Sequence, residues 1–219
     1  MSSRPAGVPP GGFSHMTVHH LRQPPYGGEP APSGWLDALP HHRHAFILGA
    51  GPNGLPHHSH EPDGLKIALN CAITVGWRHD IWMVYDQTAP RYPWFKTDTS
   101  AHKIFSTDLS RYADTTFGYI PTIHAVSDLQ EGILHGGATI AGCAIQLAFW
   151  LGCERTTLIG IDQYGDRHFD GTIGAPKHYG RTWSTVKQIE KIIRLVTARG
   201  MVVDTVSRTE LAVPLVKLW

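Results

Sequence analysis

The chain has 219 residues, 42% hydrophobic and 17% charged, with 19 Lys and Arg against 18 Asp and Glu and a formal net charge of +1. That balance suits one globular domain, or one domain with a tail. It excludes the strongly basic footprint of a general nucleic-acid binder, though a local basic groove is compatible with it. Three cysteines, Cys71, Cys143 and Cys153, lack CxxC spacing, which argues against a disulfide framework and a thiolate zinc site and points to a reducing cytoplasm. The longest apolar run, Ile140 to Cys153, is interrupted by Gln146 and is shorter than the roughly 20 residues of a membrane-spanning helix. The first residues also lack the basic-then-apolar order of a secretory signal.

Residues 1–33 carry seven prolines and five glycines and too few aliphatic side chains to offset the entropy of ordering. Residues 1–34 therefore read as a flexible Pro/Gly-rich arm, and residues 35–219 as a single domain. His44 to Gly49 is a short apolar run closed by Gly-Ala-Gly-Pro-Asn-Gly, the pattern of a buried strand and a tight turn. Leu65–Asn70, Ile81–Asp86 and His102–Thr107 read as further strands, each ending in a polar residue. From Gly137 to Gly152 the spacing of Ile140, Ala144, Leu147, Ala148 and Leu151 predicts a helix with one apolar stripe. Arg155–Ile161 is the next strand. Val186, Ile189, Ile193 and Val196 line a last helix ended by Gly200, and Met201–Val206 returns as a strand.

Aliphatic strands alternating with helices imply an α/β fold: a three-layer, Rossmann-like domain with a mostly parallel sheet. Ligands of such sheets bind beyond the carboxyl ends of the strands. That rule nominates Gly49 to Gly54, Asn70, Asp86, the turn before Gly137, and Asp162.

Gly49, Gly51 and Gly54 match G-x-G-x-x-G, but Pro52 and Pro56 interrupt the helix that should carry a pyrophosphate, and no acidic ribose partner follows. The loop is either a nucleotide-approaching turn or a glycine turn with no ligand. His135-Gly136-Gly137-Ala138-Thr139 opens the long helix with small residues whose N–H groups suit an anion, or suit close packing on the sheet. Asp162-Gln163-Tyr164 releases a carboxylate, an amide and a phenol from a strand end, ahead of a loop reaching His178-Tyr179-Gly180. His178 has the chemistry of a general acid or base, or is a plain surface residue. His41, His42 and His44, with His57, His58 and His60, bracket the first strand and could converge on zinc. No HExxH or cysteine partner accompanies them, and no metal ligands are assigned. Tyr92, Trp94 and Phe95 read as core or as a wall on which a base stacks.

Together these pieces resemble glycosyltransferase family 42, the bacterial sialyltransferases. Phe46-Ile-Leu-Gly-Ala-Gly-Pro-Asn53 is similar to the family's opening GxGPS strand and loop, and Leu69-Asn70-Cys71 to its second-strand asparagine. Gly136 to Gly152 followed by Leu158-Ile-Gly-Ile-Asp162 resembles its helix and GID strand. The resemblance covers about residues 44–206, and the broader group with this signature includes DUF115-type proteins, pterin pyrophosphokinases among them. It implies a GT-A-variant-like domain that binds a CMP-sugar donor, with no essential cofactor. It puts Gly51 and Asn53 near phosphate and ribose, Asn70 near the nucleotide, and Gly136, Gly137 and Ala138 around the base and ribose; Gly49 and Asp86, nominated by the strand-end rule, and Thr139, at the helix opening, join them as nucleotide-binding candidates. Tyr164 and Tyr179 resemble tyrosines that stabilise the departing phosphate. The family's base histidine, just after the second tyrosine, is replaced here by Gly180-Arg181-Thr182. His178 or Asp162 then remains as the base, and Arg181 suits a phosphate.

The function expected is sugar transfer from a nucleotide-sugar to a hydroxyl acceptor, with those two molecules as partners and a homo-oligomer compatible. The alternatives are a Mg²⁺-dependent pyrophosphokinase using Asp86, Asp162 and Asp170, a non-catalytic nucleotide-binding protein, and a phage-type transferase acting on a modified DNA base.

Overall fold

The computed structural model describes residues 19–21, 34–117, 129, 134, 139–163, 167–171 and 179–218, with the backbone alone for 19–21 and 179–184. Among the described residues eight strands form one sheet: β1 (His19–Leu21), β2 (His44–Leu48), β3 (Leu65–Leu69), β4 (Ile81–Val84), β5 (His102–Ser106), β6 (Thr115–Phe117), β7 (Arg155–Ile159) and β8 (Val202–Thr205). Their order is β1-β6-β5-β4-β3-β2-β7-β8, and every neighbouring pair is parallel. From β2 the chain steps outward through β3 to β6 and then returns to the other side of β2 at β7. The β2/β7 pair, in register from His44↔Arg155 to Leu48↔Ile159, is therefore the topological switch point at which such sheets take their ligands.

Side-chain alternation feeds two cores. Ala45 and Ile47 of β2, Ile67 of β3 and Ile81 and Met83 of β4 pack with α1 (Ile140–Trp150) and α2 (Tyr179–Thr197). Ile189 and Val196 of α2 are fully buried and Ile193 nearly so, and Gly200 follows the helix at φ +97°, a left-handed conformation that glycine adopts without strain. The opposite face buries Phe46, Leu48, Trp82, Val84 and Phe105. Trp82 meets Phe105 edge-on at 5.0 Å, and Phe95 caps Phe105 at 5.6 Å. The aromatic segment is thus partly a core lid, with Tyr92 stacked on Trp94 at 5.8 Å.

The sheet is covered on both faces, as three layers require. On the second face, however, the described cover consists of 3-10 turns, among them Pro52–His57, Asn70–Thr74, Pro93–Lys96 and Thr107–Tyr112. Pro56, inside Pro52–His57, removes a donor that a longer helix there would need. Two other sequence boundaries shift. The first helix starts at Ile140 rather than Gly137, capped by Thr139, whose Oγ1 accepts from the Ala141 N–H at 3.3 Å. Within the expected arm, His19–Leu21 pairs in parallel with Thr115–Phe117, an addition that needs only the main-chain groups of the β6 edge.

Candidate functional site

Beyond Leu48 the backbone of β2 keeps pairing with β7. The Gly49 N–H donates to the Ile159 carbonyl and the Gly51 N–H to the Gly160 carbonyl, both at 2.8 Å. This pairing is tight enough to demand glycine. A Cβ on Gly49 would lie 2.5 Å from the Gly160 oxygen, and one on Gly51 2.4 Å from the Asp162 carboxyl carbon. Gly160 turns at φ +65°, and its N–H donates to Ser207 Oγ at 2.8 Å, so the β8 end joins the same knot. Asp162 is 3% exposed. Its Oδ2 accepts the Asn53 N–H at 3.0 Å, while Asn53 Nδ2 donates to the Arg208 carbonyl at 3.0 Å.

One consequence separates this loop from a phosphate cradle. The N–H groups of Gly49, Gly51, Asn53 and Gly54 are all given to protein acceptors, the last to the Gly51 carbonyl at 3.1 Å. The glycines answer to packing between the β2 and β7 ends, and Asp162 answers to holding the loop.

At the β3 end, Asn70 adopts φ +51°, a conformation asparagine tolerates better than most residues. Its Oδ1 is buried without a hydrogen-bond partner, and its carbonyl accepts from Trp82 Nε1 at 3.0 Å. Next to it Cys71 is fully buried. Segment 167–171 comes back onto this end: the Phe169 N–H donates to the Ala50 carbonyl at 2.8 Å, and the Phe169 ring meets His58 edge-on at 4.8 Å. Cys71, His168 and Asp170 thereby bring one ligand-type atom each within 4.8 Å of one another. Burial, with Asp170 accepting from the thiol and adding its charge, pushes Cys71 up to about 12. Burial, reinforced by His57, lowers His58.

Gly49, Gly51, Asn53 and Asp162 therefore meet, and Asn70 stands at the adjacent strand end. Asp86, at the β4 end, is exposed and folds back on its own turn, Oδ1 accepting the Thr88 N–H and hydroxyl at 2.8 Å each. Thr139 spends its hydroxyl on the α1 cap. Tyr179 and Arg181 lie in the first turn of α2. Gly136, Gly137, Ala138, Tyr164 and His178 lie outside the described residues.

Among the described residues the two histidine clusters give no group of three ligand atoms. His41 Nδ1 pairs with the Leu151 carbonyl and His44 Nε2 with Thr157 Oγ1. Spacing did not disclose the Cys71, His168 and Asp170 group, because 97 residues separate its first two members. Ser207 was equally silent in the sequence, since its role depends on how β8 sits beside β7.

No family model matches the chain, and no curated protein matches it. Among solved structures, the sialyltransferase CstII from Campylobacter jejuni, in complex with the substrate analogue CMP-3FNeuAc, superposes with a TM-score of 0.50. The match has 13% sequence identity and covers 80% of this chain and 86% of that one. This chain has a sialyltransferase-like fold. A second structure, of CST-II with a trisaccharide acceptor and CMP, is similar at a TM-score of 0.47 and 12% identity, over 80% and 89% of the two chains.

Proposed function

We propose that the protein is a glycosyltransferase that takes a nucleotide-sugar donor, a CMP-sugar in the first instance, beyond the β2/β7 switch point and passes the sugar to a hydroxyl acceptor. The observation that carries this reading is the meeting of the Gly49–Asn53 loop with the Gly160–Asp162 strand end, with Asn70 at the neighbouring strand end, in a CstII-like fold. Asn70 Oδ1, buried and without a protein donor, suits an amino or hydroxyl group of a nucleoside. Because the Gly49, Gly51, Asn53 and Gly54 amides are already spent, the donor phosphate is met instead by Tyr164 and Tyr179 hydroxyls and the Arg181 guanidinium, a cation with donors in a fork. Gly136 to Thr139 and Asp86 complete the nucleotide contacts in this reading.

In the proposed step His178 takes the acceptor proton, the acceptor oxygen forms a bond to the anomeric carbon, and the bond to the phosphate oxygen breaks. The electron pair leaves on the phosphate, where the tyrosine O–H groups and Arg181 stabilise it. The step itself needs no metal. Asp162 serves as a positioning residue for the loop, given its burial and its bond from the Asn53 N–H.

Magnesium-dependent pyrophosphoryl transfer finds less support: Asp86, Asp162 and Asp170 form no ligand group among the described residues. A thermal-shift screen against CMP, CDP, UDP, UMP, GDP, ADP and ATP, each with and without Mg²⁺, separates the readings, since a ligand of the native state raises Tm. Metal-independent stabilisation by CMP or another sugar-nucleotide product supports the transferase. Stabilisation by ATP only with Mg²⁺ overturns it in favour of the kinase, and no shift with any nucleotide overturns the nucleotide site itself.

A further inference from the structure

A thiol, an imidazole and a carboxylate meet where β3 ends and segment 167–171 crosses it. Cys71 leaves β3 one residue after Asn70, in the first turn of a 3-10 segment, and is fully buried. His168 and Asp170 flank Phe169, whose backbone is tied to Ala50 at 2.8 Å, so both side chains leave a segment already fixed against the β2 loop. One ligand-type atom from each lies within 4.8 Å of the other two. Tetrahedral zinc with bonds of roughly 2.0–2.3 Å sets its ligands about 3.5 Å apart, so closing around an ion asks for little more than an ångström of side-chain movement.

The donor set selects the ion. Sulfur and nitrogen exclude Mg²⁺ and Ca²⁺, which take oxygen ligands, while one sulfur, one nitrogen and one oxygen suit a borderline-soft divalent ion. We propose that Cys71, His168 and Asp170 form a three-ligand zinc site that pins segment 167–171 to the carboxyl end of β3. On binding, the thiol proton passes to solvent, the sulfur–metal bond replaces the thiol's hydrogen bond to Asp170, and a water completes the tetrahedron. The clamp spans 97 residues between Cys71 and His168 and restrains the connection from β7 to α2, on which Tyr164 and His178 lie. A metal clip gains most, in theory, where the loop it closes is long. The site stands on its own geometry and does not depend on the transferase reading.

The test uses the full chain stripped of metal. Titration with Zn²⁺ against a chromophoric chelator should show one tight equivalent per chain and a rise in Tm that Mg²⁺ does not produce. Co²⁺ in place of Zn²⁺ should give a sulfur-to-cobalt charge-transfer absorption. That band distinguishes this site from the histidine clusters, which carry no sulfur. Cys71→Ser should abolish the band, and His168→Ala should weaken Zn²⁺ binding more than tenfold, since even outer partners of metal ligands are worth ~10–100-fold. If Cys71→Ser does not fold, the cobalt spectrum of the native chain and the His168→Ala titration decide. Absence of the band in the native chain overturns the proposal, as does Zn²⁺ binding unchanged by His168→Ala. Neither readout involves turnover, so failure here and failure of the transferase reading are distinguishable.

Discussion

The Asp162 carboxylate fills the space where a side chain on Gly51 would begin. A Cβ at position 51 would lie 2.4 Å from the Asp162 carboxyl carbon and 2.5 and 2.6 Å from its oxygens, while the Asn53 N–H holds the same group from above the loop. Gly51→Ala must move either the loop or the carboxylate, at a cost of about 1–3 kcal/mol for overpacking. Urea denaturation measures it. In an Asp162→Ala background the penalty should shrink, with a coupling of roughly 0.5–3 kcal/mol; additive effects would show that the two residues do not compete for space.

A second prediction concerns the outer strands. Asp204 is 1% exposed and accepts from Thr157 Oγ1 at 2.6 Å and Arg155 Nε at 2.7 Å. Thr157 in turn accepts from His44 Nε2 at 2.8 Å, so one polar chain ties β2, β7 and β8. Asp204→Ala leaves a buried hydroxyl and a half-buried guanidinium without their acceptor and should cost about 3 kcal/mol. Asp204→Asn, which keeps an acceptor for Thr157, should cost less. Equal midpoints for native and Asp204→Ala chains in urea would contradict this.

Acid should weaken the fold through its histidines. Burial is the first cause lowering His44, His58 and His79, with the neighbouring Arg155 adding to it at His44. In the unfolded chain histidine takes its proton near pH 6.5, whereas these three resist it when folded. Below that pH the unfolded state binds more protons, so stability is full above about pH 7 and falls on acidification. Urea midpoints measured between pH 7.5 and 5 should drop, and His79→Gln should flatten the drop. A midpoint that rises on acidification would reverse the assignment.

For the proposed reaction, His178→Ala and Tyr179→Phe should each lower kcat well beyond any change in nucleotide affinity. General acid–base groups contribute about 10²–10⁴-fold. Single-turnover rates with the donor identified by thermal shift, set beside nucleotide titration, check this. Unchanged rates in both variants would remove their assigned roles.

The strands from His44 to Thr107 were legible as continuous apolar runs, and α2 by its apolar period: Ala45 and Ile47 go to one core and Phe46 and Leu48 to the other, as a strand buried on both faces requires. The cover of the second face was not legible, since short 3-10 turns carry no period to read. Asn70 was legible as the polar end of an apolar strand. His168 was not, because nothing near it in sequence names Cys71 as a neighbour.

What the sequence by itself determined is local: which runs are strands, where the two helices run, which stripe α2 buries, and that polar residues cluster at the strand ends; α1 is buried all round from Ile140 to Ala148 instead of along the single stripe its spacing predicts. Only the tertiary structure decided what those residues do for one another. Gly49-Ala-Gly51 reads as a nucleotide loop by spacing, yet the amides of its two glycines are given to Ile159 and Gly160 and their missing side chains make room for Gly160 and Asp162. Parallel strands joined by long crossovers bring distant segments together at their carboxyl ends, and which segments meet depends on strand order, a property that no local pattern encodes.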